Sequence, residues 1–468
     1  MHKLFIAALA LGIALPVLAQ WKEFYYISAL FAAALVFFSV KKWRVSLADL
    51  LVLFLVTIPL HTLRFGTSEH FIRLSEIAFI PLFFWWLAQL FLKQPGKPLT
   101  IRKEFIFLFC YLLINIASVK NSIYPAISIG RIAILAYLFL FTYMVIDILT
   151  DKERIAAILK ATILISGFSS IIAVFQCIFP NLIIFTAVPM GKLFGITLFR
   201  AGVGWHDPNY YALYLGMNAS LTLAFLLSPK TGLLNKRLLK ICFLLQIIGI
   251  LCTFSRTVFL SLVFVILYLL FYFGKKKLAF SLFSITLITL ATLSVSSLTI
   301  YRTNPFFASV FYRVADKDKL KEQPTLIMGH RYAAFRSNVA MFLDHPLLGV
   351  GPFMAMYNFD KYKPAGYESP TPLLSSHNQY LQLLAEKGIF GFLVFLGFIF
   401  GILRGIYRFI KKTTDPLGKI CLIGLKSSIF VYLIASLALE TSYELQFWLT
   451  MGLIMAVFNI LNKEEINA

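Results

Sequence analysis

Charge is what this 468-residue chain has least of: 14% of its residues are Asp, Glu, Lys or Arg, and 21 in all are acidic. Soluble domains carry roughly 25% charged residues, so a soluble enzyme and a disordered chain are both excluded. Cysteine is scarce too. Cys110, Cys177, Cys242, Cys252 and Cys421 are odd in number, lie in or at the edges of apolar segments and show no C-x-x-C spacing. A metal ribbon or a disulfide framework is therefore not expected, and the thiols read as inert and buried. The histidines His61, His70, His206, His330 and His345 lack H-E-x-x-H or comparable ligand spacing, so no metal site is expected. Gly202-Val203-Gly204 lacks the strand-turn-helix context of a phosphate loop, which removes cytoplasmic ATP chemistry. Internal repeats and low-complexity tracts are also missing.

What is present is apolar: 60% of residues are hydrophobic and 16% aromatic. Runs near the ~20 residues that a helix needs to cross hydrocarbon recur along the chain. Fourteen candidate spans fall near 4–19, 24–40, 47–60, 71–92, 105–119, 127–149, 155–178, 208–228, 238–253, 257–273, 278–299, 389–407, 420–438 and 445–461. The short run at 47–60 and the pair around Arg256 read equally as re-entrant or interfacial pieces. The expectation is an all-α polytopic membrane protein of about 12–14 transmembrane helices with one long extracytoplasmic helical loop. Met1-His2-Lys3 and the loosely cleavage-like Val17-Leu18-Ala19 leave a signal peptide open, but the expected reading is a retained first span.

The excess of basic residues, 43 against 21 acidic, would point to nucleic acid in a soluble protein. Here it follows the spans. Lys41, Lys42, Arg44, Lys93, Lys97, Lys152, Arg154, Lys236, Arg237, Lys275 to Lys277, Arg404, Arg408, Lys411 and Lys412 fall on one side by parity, whereas the short segments of the other side hold few, such as Lys22, Lys120, Arg131, Lys192, Arg200 and Arg256. The positive-inside rule then puts both termini in the cytoplasm, with membrane lipids and not nucleic acid as the surroundings. Three parts are expected: N-terminal spans over 1–300, an extracytoplasmic catalytic loop over 301–388, and C-terminal spans with a short cytoplasmic tail over 389–468. The loop holds ten basic and seven acidic residues and several Pro/Gly turns, and a loop of that length is usually functional. Upstream, the mixed stretch from Pro180 to Asn209 reads as lying in the interface plane, with Lys192, Arg200, His206 and Asp207 at headgroup depth.

Three motifs on the outer side stand out. Thr253-Phe254-Ser255-Arg256 places an arginine at the junction of two apolar runs, where it either snorkels to lipid phosphate or holds a phosphate bidentately. Gly329-His330-Arg331-Tyr332, followed by Arg336 and by Asp344-His345-Pro346-Leu347-Leu348-Gly349-Val350-Gly351, fits an amphipathic helix ended by His345-Pro346. Ser375-Ser376-His377-Asn378-Gln379-Tyr380 leads into an apolar span. With Ser375 or Ser376 as helix cap, His377 falls in the first turn, where the helix end keeps imidazole neutral and able to accept a proton.

The order of these motifs, 75 residues from Arg256 to Arg331 and 46 from Arg331 to His377, with Glu386-Lys387-Gly388-Ile389-Phe390-Gly391 following, resembles the O-antigen ligase and O-antigen polymerase superfamily. The resemblance covers about residues 195–461, Arg200 and Asp207-Pro208-Asn209 included. It implies a metal-independent, inverting glycosyl transfer that needs no cofactor. The donor would be an undecaprenyl-diphosphate-linked glycan and the acceptor a hydroxyl of a lipid A core or growing chain. By that analogy Arg256 and Arg331 hold the diphosphate and His377 is the base, with Arg200, Arg336 and Asn378 as substrate-binding or orienting residues. Asp207, Glu440 and Glu444 compete with His377 as the base. A ligase is the expected reading, because the one long loop is moderate in size and basic; a polymerase, a protein-targeting oligosaccharyltransferase and a lipid-linked glycan flippase stay open, with Lys160 and Lys426 the mid-span charges that transport would use.

Overall fold

The computed structural model describes residues 45–60, 64–66, 71–92, 104–180, 187–193, 196–229, 232–300, 325–365, 367 and 373–467. In chain order the helices are α1 (Leu47–Thr57), α2 (Leu74–Leu92), α3 (Glu104–Ser118), α4 (Pro125–Ile148), α5 (Lys152–Ile178), α6 (Pro208–Leu227), α7 (Lys236–Thr253), α8 (Arg256–Tyr272), α9 (Lys276–Ile300), α10 (Thr325–Asp344), α11 (Phe359–Tyr362), α12 (Gln379–Lys412), α13 (Pro416–Ala435) and α14 (Leu445–Asn467). Two small antiparallel hairpins accompany them, β1 (Arg64–Gly66) with β2 (Phe71–Arg73), and β3 (Val188–Leu193) with β4 (Ile196–Arg200). Polar residues between the apolar runs start the helices. Asp151 accepts from the Arg154 amide, Asp207 from Asn209, Asn235 from Arg237 and Asp415 from Leu417 and Gly418, with Pro125, Pro208 and Pro416 in first-turn positions that need no N–H partner.

Among the described residues seven helical segments are long and apolar enough to cross a membrane, namely those at 104–121, 125–148, 152–178, 208–227, 379–412, 416–435 and 445–464. Shorter apolar helical pieces lie at 47–60, 77–89 and 256–272. The protein is an all-α polytopic membrane protein. The expected spans at 4–19 and 24–40 fall outside the described residues. Helix α6 is the central post: Tyr211 through Phe225 are buried, and Gly216 meets Val258 of α8 and Val431 of α13. Hydroxyls inside the bundle turn back on their own helices, as Thr142 does to Leu138, Thr162 to Ile158 and Thr222 to Asn218, which satisfies them where no water is at hand. Helix α9 lies at the periphery with Leu278, Phe280 and Ile285 exposed, an apolar surface suited to lipid.

The bundle has two chemically different ends. At one, Lys152 bridges Asp415 (3.1 Å) and Glu464 (2.6 Å), joining the starts of α5 and α13 to the end of α14. At the other, the last turn of α3, the start of α4, the ends of α5, α7 and α13 and the starts of α6, α8, α12 and α14 come together. Backbone bonds from Ala201 to Cys252 (2.9 Å) and from Gln379 to Ser436 (2.9 Å) tie this end across the helices.

That second end is locked by two glycines. Helix α12 breaks at Gly388, whose φ of 62° and ψ of −167° are open to glycine and not to other residues. A Cβ there would come within 2.2 Å of Leu347, and one on Gly349 (φ +66°) within 2.2 Å of Glu386. The segment 346–352 therefore runs backbone against backbone along the break: Val350 N–H donates to Ala385, Gly351 N–H to Glu386 and Ile389 N–H to Pro346. Ser118 donates to the Leu348 and Glu386 carbonyls, Asn121 to Gly349 and Ser128 to Pro352. Beneath the break, Glu386 and Lys387 form an ion pair at 2.7 Å, both side chains almost fully buried.

Candidate active site

The stretch after β4 builds a cationic corner. Pairing of β3 with β4 delivers Arg200 to the end of α7, where its Nε donates to the Thr253 carbonyl (2.8 Å) and its Nη2 to Asn209 Oδ1 (3.1 Å). Asp207 holds Asn209 in turn through both the backbone and the side-chain amide, each at 2.8 Å. The expected in-plane segment at 180–209 is thus a hairpin in its described part. Alternating extended residues pair with each other, which satisfies backbone groups that a lone interfacial stretch would leave to water.

Arg256 enters from the other side. Phe254 takes a left-handed conformation (φ 52°) that ends α7 and allows α8 to begin immediately, with Ser255 as cap residue and Arg256 exposed in the first turn. Ser255 makes no side-chain cap bond, and its hydroxyl is buried without a hydrogen-bond partner among the described residues. The first-turn N–H groups of α8 have no helical acceptor, so this end combines a helix N-terminus with two guanidinium groups. Arg200 and Arg256 are close enough to affect each other: burial lowers the pKa of Arg200, the Asp207 carboxylate raises it, and Arg256 lowers it again. Such a corner suits an anion.

Opposite stands the turn between α13 and α14. Gln379 of α12 accepts from the Thr441 and Ser442 amides (2.6 and 2.8 Å), fixing the turn so that Glu440 faces the segment before α12. Glu440 Oε1 accepts from the His377 amide (3.1 Å), and the Ser375 hydroxyl and Ser376 amide also donate to this carboxyl. Burial, followed by the Glu386 carboxylate, raises the pKa of Glu440 against those bonds. Gln382 spans the two acids, its Nε2 lying 3.1 Å from Glu386 Oε1 and 3.4 Å from Glu440 Oε2. Tyr210 closes the gap to the cationic corner: its phenol meets the Glu440 backbone and lies within electrostatic reach of Asp207, Glu440 and Glu444.

Glu444 keeps some solvent contact, yet burial of its carboxyl, followed by the Asp207 carboxylate, pushes its pKa up to about 8. The folded state therefore holds a proton that the unfolded chain loses near pH 4.3. The stabilisation is complete below that value and is lost as pH rises through about 8. Thermal unfolding in detergent is expected to move to lower temperature between pH 5 and pH 9. Glu444→Gln should flatten that dependence; an unchanged slope in the variant would assign it to another group.

His377 and Asn378 correct the expected cap. Asn378, not Ser375 or Ser376, caps α12, its Oδ1 accepting from Tyr380 and Leu381 (both 3.0 Å) and its Nδ2 donating to the Leu437 carbonyl (3.0 Å). His377 lies before the helix and not in its first turn, in a left-handed backbone (φ 48°). Residues other than glycine pay for this conformation; here the bond to Glu440 and the Asn378 cap hold it. Ser376 instead donates to Asn338 of α10 (2.9 Å), joining the His377 segment to the helix that carries Arg331.

Helix α10 ends at Asp344, directly before His345-Pro346. Arg331 is exposed two turns ahead of Asn338 and on the same face of that helix. Arg336, also exposed, is turned about 140° away from Arg331. Asp344 is engaged by the Tyr362 hydroxyl and lies 3.5 Å from His345 Nε2, so it braces the loop. Arg200, Arg256, His377 and Asn378 share one end of the bundle, and Asn338 links α10 to it. Glu440 and Glu444 complete this end; the signal for them in the sequence is an acidic, polar turn between the last two apolar runs.

Residues 241–396, which include Arg256, Arg331 and His377, match the family model described as O-antigen ligase. Comparison with curated proteins gave no match. The match covers the turn before α8, the described helix α10 and the break in α12 together, and over that third of its length this membrane protein is similar to O-antigen ligases.

Proposed function

We propose that the protein is an O-antigen ligase: it moves a glycan from an undecaprenyl-diphosphate carrier to a hydroxyl of a lipid A core at the outer face of the bacterial inner membrane, with both termini cytoplasmic. The observation that carries this reading is the pairing of Arg200 and Arg256 at the start of α8, facing the His377 and Glu440 segment across Tyr210. The charge asymmetry of the sequence supports the sidedness, since the end with Lys152 belongs to the more basic set of segments.

In the reaction the acceptor oxygen attacks the anomeric carbon from the face opposite the diphosphate, which inverts that centre. The bond from that carbon to the diphosphate oxygen breaks, and the carrier leaves with both phosphates. Negative charge grows on the departing oxygen, and in this reading Arg256, Arg331 and the α8 amides neutralise it. The acceptor proton passes to His377, whose seat is fixed by Glu440. This route needs neither metal nor cofactor. Arg200 acts partly by building the corner, because two of its donors are committed to Thr253 and Asn209. Asn378 orients the histidine, its amide being spent on the helix cap and Leu437.

A polymerase of the same superfamily, with a lipid-linked chain as acceptor, is the second reading, favoured by the same residues. Transport of the lipid-linked glycan finds less support. Lys426 lies 5.1 Å from the ring centre of Tyr268 and 5.9 Å from that of Phe430, in an aromatic surround and not along a charged route.

The test uses cells lacking their own ligase and resolves surface glycolipid on gels, with the wild type and His377→Ala expressed at matched abundance. Capping of the lipid A core that disappears in His377→Ala is the expected result. Uncapped core with histidine-dependent lengthening of carrier-linked chains would make the protein a polymerase. Equal capping by both forms would remove His377 as the base.

A further inference from the structure

Two of the five cysteines, which the sequence presents as inert, meet in the fold. Cys177 stands in the last turn of α5 and Cys252 in the last turn of α7. These helices run side by side in the same direction along a seam of small residues. A Cβ on Gly167 would lie 3.3 Å from the Cβ of Cys242, one on Gly249 would lie 2.7 Å from Ser170 Oγ, and Gln246 donates to Ser166 (2.7 Å). The seam brings the two helix ends to one height. Cys177 Sγ is 3.5 Å from the Cys252 carbonyl and 3.3 Å from that of Phe199, and the two thiols lie near enough to influence each other electrostatically. With the sulfur of one cysteine against the main chain of the other, the two residues stand side by side, as a disulfide requires.

Their position gives the contact a use. The Cys252 carbonyl accepts from Ala201, and the next residue, Thr253, accepts from Arg200. Phe199, whose carbonyl meets Cys177, immediately precedes Arg200. The thiol pair therefore lies directly beneath the cationic corner, at the point where the hairpin, α5 and α7 join.

We infer that Cys177 and Cys252 are a modification site: they close into a disulfide bond that cross-links α5 to α7 beneath Arg200 and Arg256. The inference rests on the proposed sidedness, because disulfides persist in the oxidising space outside the membrane and not in the cytosol. The oxidant is an oxidised dithiol protein of that compartment. The thiolate of one cysteine attacks a sulfur of that disulfide and displaces the other sulfur as a thiolate. The second cysteine then attacks the first through the mixed disulfide. In net terms one S–S bond breaks and one forms, two electrons pass to the oxidant, and the two protons end on its thiols.

The experiment blocks thiols with a maleimide at the moment of cell lysis, denatures the full-length protein and counts adducts by intact mass. Of the five cysteines, two are in the bridge, so three adducts are expected, rising to five when reduction precedes blocking. Cys177→Ser and Cys252→Ser should each give four adducts, since each frees the other's thiol. Five adducts in the wild type would overturn the cross-link, as would two in either variant, since a bridge between other cysteines would persist there. Capping assayed on the same membranes separates the two readings. Capping by protein with five free thiols removes the bridge alone, whereas three thiols without capping removes the ligase reading and leaves the bridge in place.

Discussion

Arg256→Ala is expected to lower glycan transfer at least about 100-fold while the protein stays inserted at normal abundance, since losing one preorganised charge partner of a developing anion costs that much or more. Arg256 is exposed in the first turn of a helix already started by Phe254 and Ser255, so its removal leaves the turn intact. Arg256→Lys should recover little, because a point charge cannot span two phosphate oxygens as a guanidinium does. Arg200→Ala should show a mixed loss, in activity and in thermal stability together, because Arg200 also ties Thr253 to Asn209. The check is the capping assay at matched protein level. Wild-type capping by Arg256→Ala would end the idea of a diphosphate clamp.

The second large effect is structural. Gly388→Ala and Gly349→Ala each place a methyl group within 2.2 Å of backbone atoms across the lock, at backbone angles that alanine resists. The neighbours are main chain on both sides and cannot rotate away, so a loss of several kcal/mol is expected. Accumulation in the membrane should fall sharply, and whatever remains should unfold at much lower temperature. Gly130→Ala is the matched control: it lies in α4 with nothing within 4 Å of the added methyl, and should be neutral or slightly stabilising. Normal folding of Gly388→Ala would mean that the two segments are not held in this contact.

The same lock shows how far the sequence could be read. The spans were legible because hydrocarbon thickness fixes a run length, and acidic or amide residues and prolines mark where helices start. Arg256, Arg331 and His377 could be singled out as polar residues against apolar runs on one side. Their surroundings could not. Asp344 to Gly351 and Glu386 to Gly391 look like chemistry in one dimension, yet their described bonds are largely main-chain contacts of one segment on the other. Asn378 and the serines before it are equally good caps by residue type, and the choice fell to whichever amide also reached Leu437. Arg200 and Arg256 meet through a hairpin that composition does not announce, since strands of six and five residues leave little trace among long apolar runs. Glu440 and Glu444 could be named only as rival bases, because the bonds to Glu440 come from the His377 segment and Gln382, and the turn that holds both acids is fixed by Gln379, some sixty residues away.

The turn between α13 and α14 bears on what can be cut from this protein. It carries Glu440, holds the His377 amide and is itself pinned by Gln379, yet it lies beyond the matched region that ends at residue 396. Arg200 and Asp207 lie before that region begins. A fragment reduced to 241–396 would keep Arg256, Arg331 and His377 while losing the seat of one and the neighbour of another. The matched region is therefore not a portable module, and chimeras that exchange it should place their junctions upstream of β3 and downstream of the turn that carries Glu440 and Glu444.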